Sequence, residues 1–299
     1  MELLDFFNHN PRIAVAFSGG VDSSYLLFAA KTAGCNVRAY FIKSQFQPEF
    51  ELDDAKRLAD TLGIPLVVET LDVLNVPNIV QNPTNRCYYC KSAMLLKLWE
   101  LARADGIEVL CDGTNADDDE NDRPGMQALR EQGIVSPLRD CGLTKADIRR
   151  LSRQAGLFTH EKPAYACLAT RIPTGVKITA ELLAKIERAE NILFNMGFSD
   201  FRVRVIDGKQ GDKKQGAGSP ALQEEKQVDG SHALQEEKQL DGSHALQEEK
   251  QVDDSHALQY IARIQMPENQ WDAAAAQRKD ILTAMRPVFD GVLLDLDTR

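Results

Sequence analysis

The chain has 299 residues, 43% hydrophobic and 27% charged, enough to bury one full core and a smaller second one. No apolar run approaches the ~20 residues that a membrane span needs, and the N-terminus opens on acidic residues rather than the basic region of a signal peptide, so a cytoplasmic protein with no membrane partner is expected. The net charge of -10 is concentrated in three repeats over 221–256, which hold ten acidic residues against three lysines; the remainder is only mildly acidic and lacks the basic stripe of a nucleic-acid binder.

Apolar runs over 12–17, 37–43, 66–70 and 108–112 alternate with amphipathic stretches over 23–33, 49–62 and 91–105. Strand and helix periods in this alternation predict an α/β fold, a parallel sheet with helices on both faces. After a short strand over 135–138, Thr144 is the expected N-cap and Gly156 the expected stop of a helix over 143–155. The first domain is drawn over 1–172. The remainder, 173–299, reads as a small α+β domain: a helix over 179–196 stopped by Gly197, strands over 201–206 and 260–266, a helix over 269–285 and a strand over 291–296. Alternation along 201–206 puts Arg202 and Arg204 on one face.

Between those first two strands lies an insertion over 209–258 with a twelve-residue period, ALQEEKQVDGSH, ALQEEKQLDGSH and ALQEEKQVDDSH. Each unit has too little apolar surface to offset chain entropy, so a flexible tract or transient helices are expected. His232, His244 and His256 recur through duplication and are assigned no role.

Ser18, Gly19, Gly20, Val21, Asp22, Ser23 and Ser24 follow the first strand and open a helix, so backbone N–H groups and the helix dipole converge where an anion is favoured. The glycines permit close approach, and the hydroxyls add donors for a pyrophosphate. No lysine follows them, which separates this loop from a Walker A loop. Residues Asp112 to Asp118 read DGTNADD and follow a strand's carboxyl end, where open α/β sheets bind ligands; nucleotide or magnesium contact is expected there. Arg123 and Arg171 are candidates for neutralising phosphate charge.

Six cysteines in a reducing compartment are read as metal ligands, catalytic groups or small apolar residues rather than disulfides. Cys87 and Cys90 form a Cys-x-x-Cys ahead of a helix, and Cys167 lies far along the chain. Three thiols suit an iron–sulfur cluster, a zinc site wanting a fourth ligand, or plain thiols. Cys35, Cys111 and Cys141 are read as packing residues.

SGGVDSS resembles the signature of the PP-loop ATP pyrophosphatases, which implies cleavage of ATP between the α and β phosphates and transfer of AMP to a substrate oxygen. With NRCYYCK over 85–91, DGTNADD over 112–118 and ACLATRIP over 166–173, the chain resembles the LarE family of sulfur transferases across both domains. The resemblance implies ATP with Mg2+ and a small carboxylated pyridinium mononucleotide as substrate. Its carboxylate becomes an adenylate and then a thiocarboxylate, a step in making the nickel-pincer nucleotide cofactor. A carboxylate is a poor electrophile, whereas its adenylate offers AMP as a good leaving group.

By the same resemblance Cys167 and Arg171 are catalytic, and Ser18 to Ser24, Gly113, Thr114, Asn115, Asp117 and Arg123 bind ATP and pyrophosphate. Arg202, Arg204 and Glu190 match substrate-phosphate positions. Cys87, Cys90 and Cys167 match the ligands of a [4Fe-4S] cluster with one iron open for an extra sulfide. In the other branch of the family a single cysteine at the Cys167 position surrenders its own sulfur; this chain has all three. One departure stands out. The family strand L-A-R-I-E reads Ile261, Ala262, Arg263, Ile264, Gln265, leaving the acidic role at 265 unfilled. A tRNA thiolase, an amidotransferase-type synthetase and a 7-cyanodeazaguanine synthase share the adenylation step and are rivals. A non-enzymatic ATP- or AMP-binding module would release no pyrophosphate. The sequence leaves a homo-oligomer open.

Overall fold

The computed structural model describes residues 2–118, 124–207 and 260–295. Arg123, the insertion over 209–258 and Leu296 lie outside these residues. After α1 (Leu3–His9), strands β1 (Arg12–Ala16), β2 (Asn36–Lys43), β3 (Leu66–Thr70) and β4 (Leu110–Cys111) form a parallel sheet in the order β3-β2-β1-β4. The chain winds outward from β1 through α2 (Val21–Thr32), β2, α3 (Glu49–Leu62) and β3. It then returns through α4 (Pro77–Val80) and α5 (Arg86–Ala104) to β4 on the other side of β1. The strand order therefore reverses at β1, and such a switch point opens a crevice at the carboxyl ends of the strands.

Ile13, Ala14 and Val15 are fully buried because helices cover both faces, and that is why β1 is an unbroken apolar run. Phe6, Leu26, Leu27 and Leu58 pack on one face, and Leu95, Leu98, Ala102 and Leu129 on the other. Among the described residues no helix is long and apolar enough to cross a membrane.

The α/β reading holds, with local differences. The strand expected over 108–112 shrinks to two residues, and the one expected over 135–138 to a single bridge between Cys111 and Val135. Pro137, whose fixed φ suits a first helical position, then opens α7 (Pro137–Asp140). Helix α6 (Pro124–Glu131) was not anticipated. Helix α5 starts at Arg86 rather than 91, so Cys87 and Cys90 lie in its first turns and not ahead of it.

Helix α8 (Lys145–Gln154) carries the expected Thr144 cap, with Asp147 completing a capping box. Helix α9 (Ala180–Asn195) is capped by Thr179. It packs on a mixed sheet in which β5 (Arg202–Asp207) runs antiparallel to β6 (Tyr260–Gln265), and β6 parallel to β7 (Gly291–Leu294). The helix expected over 269–285 divides into α10 (Trp271–Ala276) and α11 (Arg278–Met285). Leu183, Ile186, Val203 and Ala262 share one apolar cluster with Phe46, Val73 and Ile79, so the core of the C-terminal part runs across residue 172 into the parallel-sheet part.

Candidate functional site

A cavity of about 670 Å3 opens at the carboxyl ends of β1 and β2. The start of α2 forms one wall, the first turns of α5 another, and residues 162–167 a third. Ser18, Gly20, Val21, Asp22 and Ser23 face it, as do Asp112, Gly113 and Thr114 from the segment after β4.

Close packing explains the glycines. Gly19 has φ +70°, which L side chains rarely adopt, and a Cβ there would lie 3.0 Å from the Glu51 carbonyl oxygen. A Cβ on Gly113 would lie 2.7 Å from the Ser23 backbone nitrogen, so the segment after β4 presses its bare backbone against the start of α2. Asp112 fixes that segment: it is buried and accepts from the Thr114 N–H at 3.2 Å, the Thr114 hydroxyl at 2.5 Å and the Ser136 hydroxyl at 2.7 Å.

Asn115 and Asp117 stand behind the cavity wall and build the turn. Asn115 Oδ1 accepts from the Asp117 N–H at 2.9 Å, and Asp117 Oδ2 accepts from the Lys145 N–H at 2.7 Å. Ser24 is fully buried and does not face the cavity.

Two lysines that sequence reasoning passed over reach the loop. Lys145 Nζ lies 2.5 Å from Asp22 Oδ2. Lys162 Nζ donates to the Gly19 carbonyl at 3.2 Å and pairs with Asp54 Oδ2 at 2.6 Å. Both line the cavity, supplying the cations that the loop's own sequence lacks. Only the fold reveals them, since Lys162 and Gly19 are 143 residues apart in the chain.

Cys87, Cys90 and Cys167 line the same cavity, near enough to influence one another's charge. Burial pushes the Cys90 thiol up to about 12, with Cys167 and Cys87 adding to the rise. Burial also raises Cys167, and the Arg86 guanidinium pulls it back down. Arg86, quoted in the sequence motif but given no role there, donates to Asn82 Oδ1 at 2.5 Å and to the Ala169 carbonyl at 2.9 Å. It thereby ties α5 to the short helical turn after Cys167 and sets a fixed positive charge beside the thiols. Three thiols match an iron–sulfur cluster in the kind of donor. Among the described residues no three His, Cys, Asp or Glu side chains close on a single metal ion.

Arg171 and Glu190 pair with each other behind the cavity lining. Both are buried and face away from the cavity. Glu190 accepts from Arg171 Nε at 2.7 Å, from its second guanidinium nitrogen at 3.3 Å, from the Val203 N–H at 3.0 Å and from the Tyr165 hydroxyl. Four donors occupy this carboxylate. Arg171 also donates to the Ala166 carbonyl at 2.9 Å, so the pair fixes the loop that carries Cys167 against α9 and β5.

Arg202 and Arg204 share a face of β5, away from the buried Val203 and Val205. Arg204 donates to Gln265 Oε1 at 2.5 Å and to the Thr170 carbonyl at 3.0 Å. Gln265 Nε2 in turn donates to Asp295 Oδ2 at 2.7 Å, and Asp295 pairs with Arg263 at 2.5 Å. A carboxylate from the residue after β7 thus stands beside Gln265.

The asparagine synthase family model matches residues 9–118. An uncharacterized protein of Synechocystis is 40% identical over 204 residues, covering 68% of this chain and 76% of its own length. The pyridinium-3,5-bisthiocarboxylic acid mononucleotide synthase of Lactiplantibacillus plantarum is 34% identical over 195 residues, 64% of this chain and 71% of that one. The chain belongs to the LarE family. A tRNA-specific 2-thiouridylase of Pseudothermotoga lettingae is 28% identical over 190 residues, covering 50% of this chain and 54% of that one. As a LarE-family protein with a PP-loop, the chain is an ATP-dependent, adenylating and sulfur-transferring enzyme.

Proposed function

We propose that the chain adenylates a carboxylate of a small pyridinium mononucleotide and replaces one of its oxygens with sulfur, a step toward a nickel-pincer nucleotide. The observation that carries this reading is a single cavity with a pyrophosphate loop on one wall and three thiols on the other. ATP enters with its β and γ phosphates against the N–H groups of Gly20 to Ser23, where the dipole of α2 favours negative charge. Lys145 and Lys162 neutralise the phosphates from the flanks. Mg2+ needs only one or two carboxylates besides phosphate oxygens, and Asp22 and Asp118 lie on that wall. Apolar side chains of α5 and α6, among them Leu95, Leu98 and Met126, make the dry part of the cavity for the adenine ring.

The α-phosphate then faces the thiol wall, so the acyl adenylate forms where sulfur is at hand. Cys87, Cys90 and Cys167 would hold a [4Fe-4S] cluster, which when bound supplies an exchangeable sulfide site. Arg86 and the Arg171–Glu190 pair keep the thiols in place. Arg204, on the rim strand, is the candidate for the mononucleotide phosphate.

Protein purified without oxygen and given ATP and a carboxylated pyridinium mononucleotide is expected to release pyrophosphate and yield a thiocarboxylate detectable by mass, with about four irons per chain as one such cluster requires. Cys87→Ala is expected to keep pyrophosphate release and lose repeated sulfur turnover. Pyrophosphate release driven by tRNA and not by the mononucleotide would overturn the substrate; full turnover by Cys87→Ala would overturn the three-thiol delivery.

A further inference from the structure

Glu51 is the third residue of α3, a position from which a glutamate side chain commonly reaches back to the backbone N–H of the N-cap. Here the N-cap is Pro48, which has no N–H, so that outlet is closed. The Glu51 side chain lies on the wall of the cavity instead and makes no hydrogen bond among the described residues. The neighbouring carboxylates are occupied. Asp54 is held by Lys162 at 2.6 Å, Asp22 by Lys145 at 2.5 Å, and Asp112 by Thr114 and Ser136, while Asp118 accepts from the Asn115 N–H at 3.1 Å.

Its placement joins the two halves of the reaction. The Glu51 carbonyl abuts Gly19, so the first turn of α3 is packed on the pyrophosphate loop. On its other side the ring of Phe50 meets Tyr165 edge-on at 5.0 Å, in the segment leading to Cys167. Glu51 therefore stands between the place where AMP is made a leaving group and the place from which sulfur arrives.

We propose that Glu51 takes the proton of the incoming sulfhydryl as sulfur displaces AMP from the acyl adenylate. The proposal rests on the reading of the substrate as an adenylated carboxylate. In this step a sulfur lone pair of hydrosulfide forms the C–S bond. The bond from the acyl carbon to the phosphate oxygen breaks, and its electron pair leaves with AMP. The S–H proton passes to the Glu51 carboxylate, which later returns it to water; no oxidant or reductant is needed.

The surroundings tune the group to this task. Burial, the largest influence, pushes Glu51 up to about 7. Lys162, Lys43 and Arg171 pull it down and Asp54 pushes it up, and Tyr165 also lies within its electrostatic reach. The dipole of α3 favours the ionised form. A carboxylate that titrates near neutrality is matched to general-base work at the pH of the cell.

The test uses the full chain with inorganic sulfide as the donor and the carboxylated pyridinium mononucleotide as acceptor. Glu51→Gln is expected to retain most pyrophosphate release and to lose at least ~100-fold in single-turnover sulfur transfer, the scale of a general base. With the rate expressed per hydrosulfide present, which removes the donor's own titration, the transfer should also lose its pH limb near 7, and Glu51→Asp should recover part of both. Transfer by Glu51→Gln at the wild-type rate, or an equal loss of both half-reactions in a variant with an unchanged melting curve, would overturn the proposal. The infrared carboxyl band of the substrate-free enzyme gives a readout independent of the substrate. A midpoint near 7 that vanishes in Glu51→Gln supports the proposal even if the mononucleotide releases no pyrophosphate, an outcome that overturns only the substrate; a midpoint in the ordinary carboxylate range overturns the proposal itself.

Discussion

The two walls of the cavity are built on different principles. The pyrophosphate wall is made largely of backbone: the consecutive residues from Ser18 to Ser23, a strand end, a helix start and two glycines without room for a Cβ. The sulfur wall is made of side chains from distant parts of the chain, Cys87 and Cys90 on α5 and Cys167 80 and 77 residues later, held by Arg86, Arg171 and Glu190. A backbone site depends on conformation and tolerates most side-chain changes. A side-chain site depends on a few buried charges, and there a single substitution acts through an uncompensated charge. The comparison predicts that single substitutions cost more on the sulfur wall than on the pyrophosphate wall.

The largest effect is expected at Glu190. Glu190→Gln keeps the shape but leaves the fully buried Arg171 guanidinium facing a neutral amide, and breaking a buried pair from one side costs about 3–5 kcal/mol. Urea unfolding should show this loss, and sulfur transfer should fall with it because the Cys167 loop loses its tether to α9. A loss below about 1 kcal/mol, the range of an exposed pair, would break the comparison at its strongest point.

Glu51 comes next, through pH. Its carboxyl titrates at about 7 in the folded chain against 4.5 when free, so between those values the folded state binds more protons than the unfolded state and stability falls as pH rises. The penalty is absent below 4.5, grows through that window and levels off above 7 at about 3 kcal/mol or less. Glu51→Gln should therefore be more stable than wild type at pH 8 and equal to it at pH 4.5, read as urea midpoints. A variant less stable at pH 8 would show that the carboxylate is held by the protein rather than kept free for chemistry.

The same contrast explains what was legible before any coordinates. The sheet, its helices and the loop from Ser18 to Ser24 follow from local periodicity and from a strand-glycine-helix junction, because each depends on neighbours in sequence. The shortening of β4 and the early start of α5 do not; Arg86, in the first turn of α5, is tied to Ala169, 83 residues along the chain. Lys162 and Glu51 carry no local mark; only the packing of α3 and of residues 162–167 on the loop makes them part of the site. Family resemblance brought Arg171 into view as catalytic and Glu190 as a substrate-phosphate position, and the fold adds that the two are buried and paired with each other.

On the pyrophosphate wall, Gly113→Ala is expected to cost about 1–3 kcal/mol, the range for overpacking, because its Cβ would meet the Ser23 backbone at 2.7 Å and the segment must back away. The KM for ATP should rise more than sulfur transfer falls once ATP is saturating. A cost above that of Glu190→Gln would reverse the ranking of the two walls.

The smallest effect is expected at Thr144→Ala. The Thr144 side chain accepts from the Asp147 N–H at 3.2 Å, and Asp147 Oδ2 returns a contact to the Thr144 N–H at 3.3 Å, so the substitution removes one half of a capping box worth about 1 kcal/mol. Lys145 follows directly and has two attachments of its own, its N–H to Asp117 and its Nζ to Asp22. If these hold the helix start without the cap, stability falls by that ~1 kcal/mol and the KM for ATP stays put. If the KM rises several-fold, Lys145 meets the phosphates only while Thr144 caps α8, and the pyrophosphate wall then depends on side chains as much as the sulfur wall does.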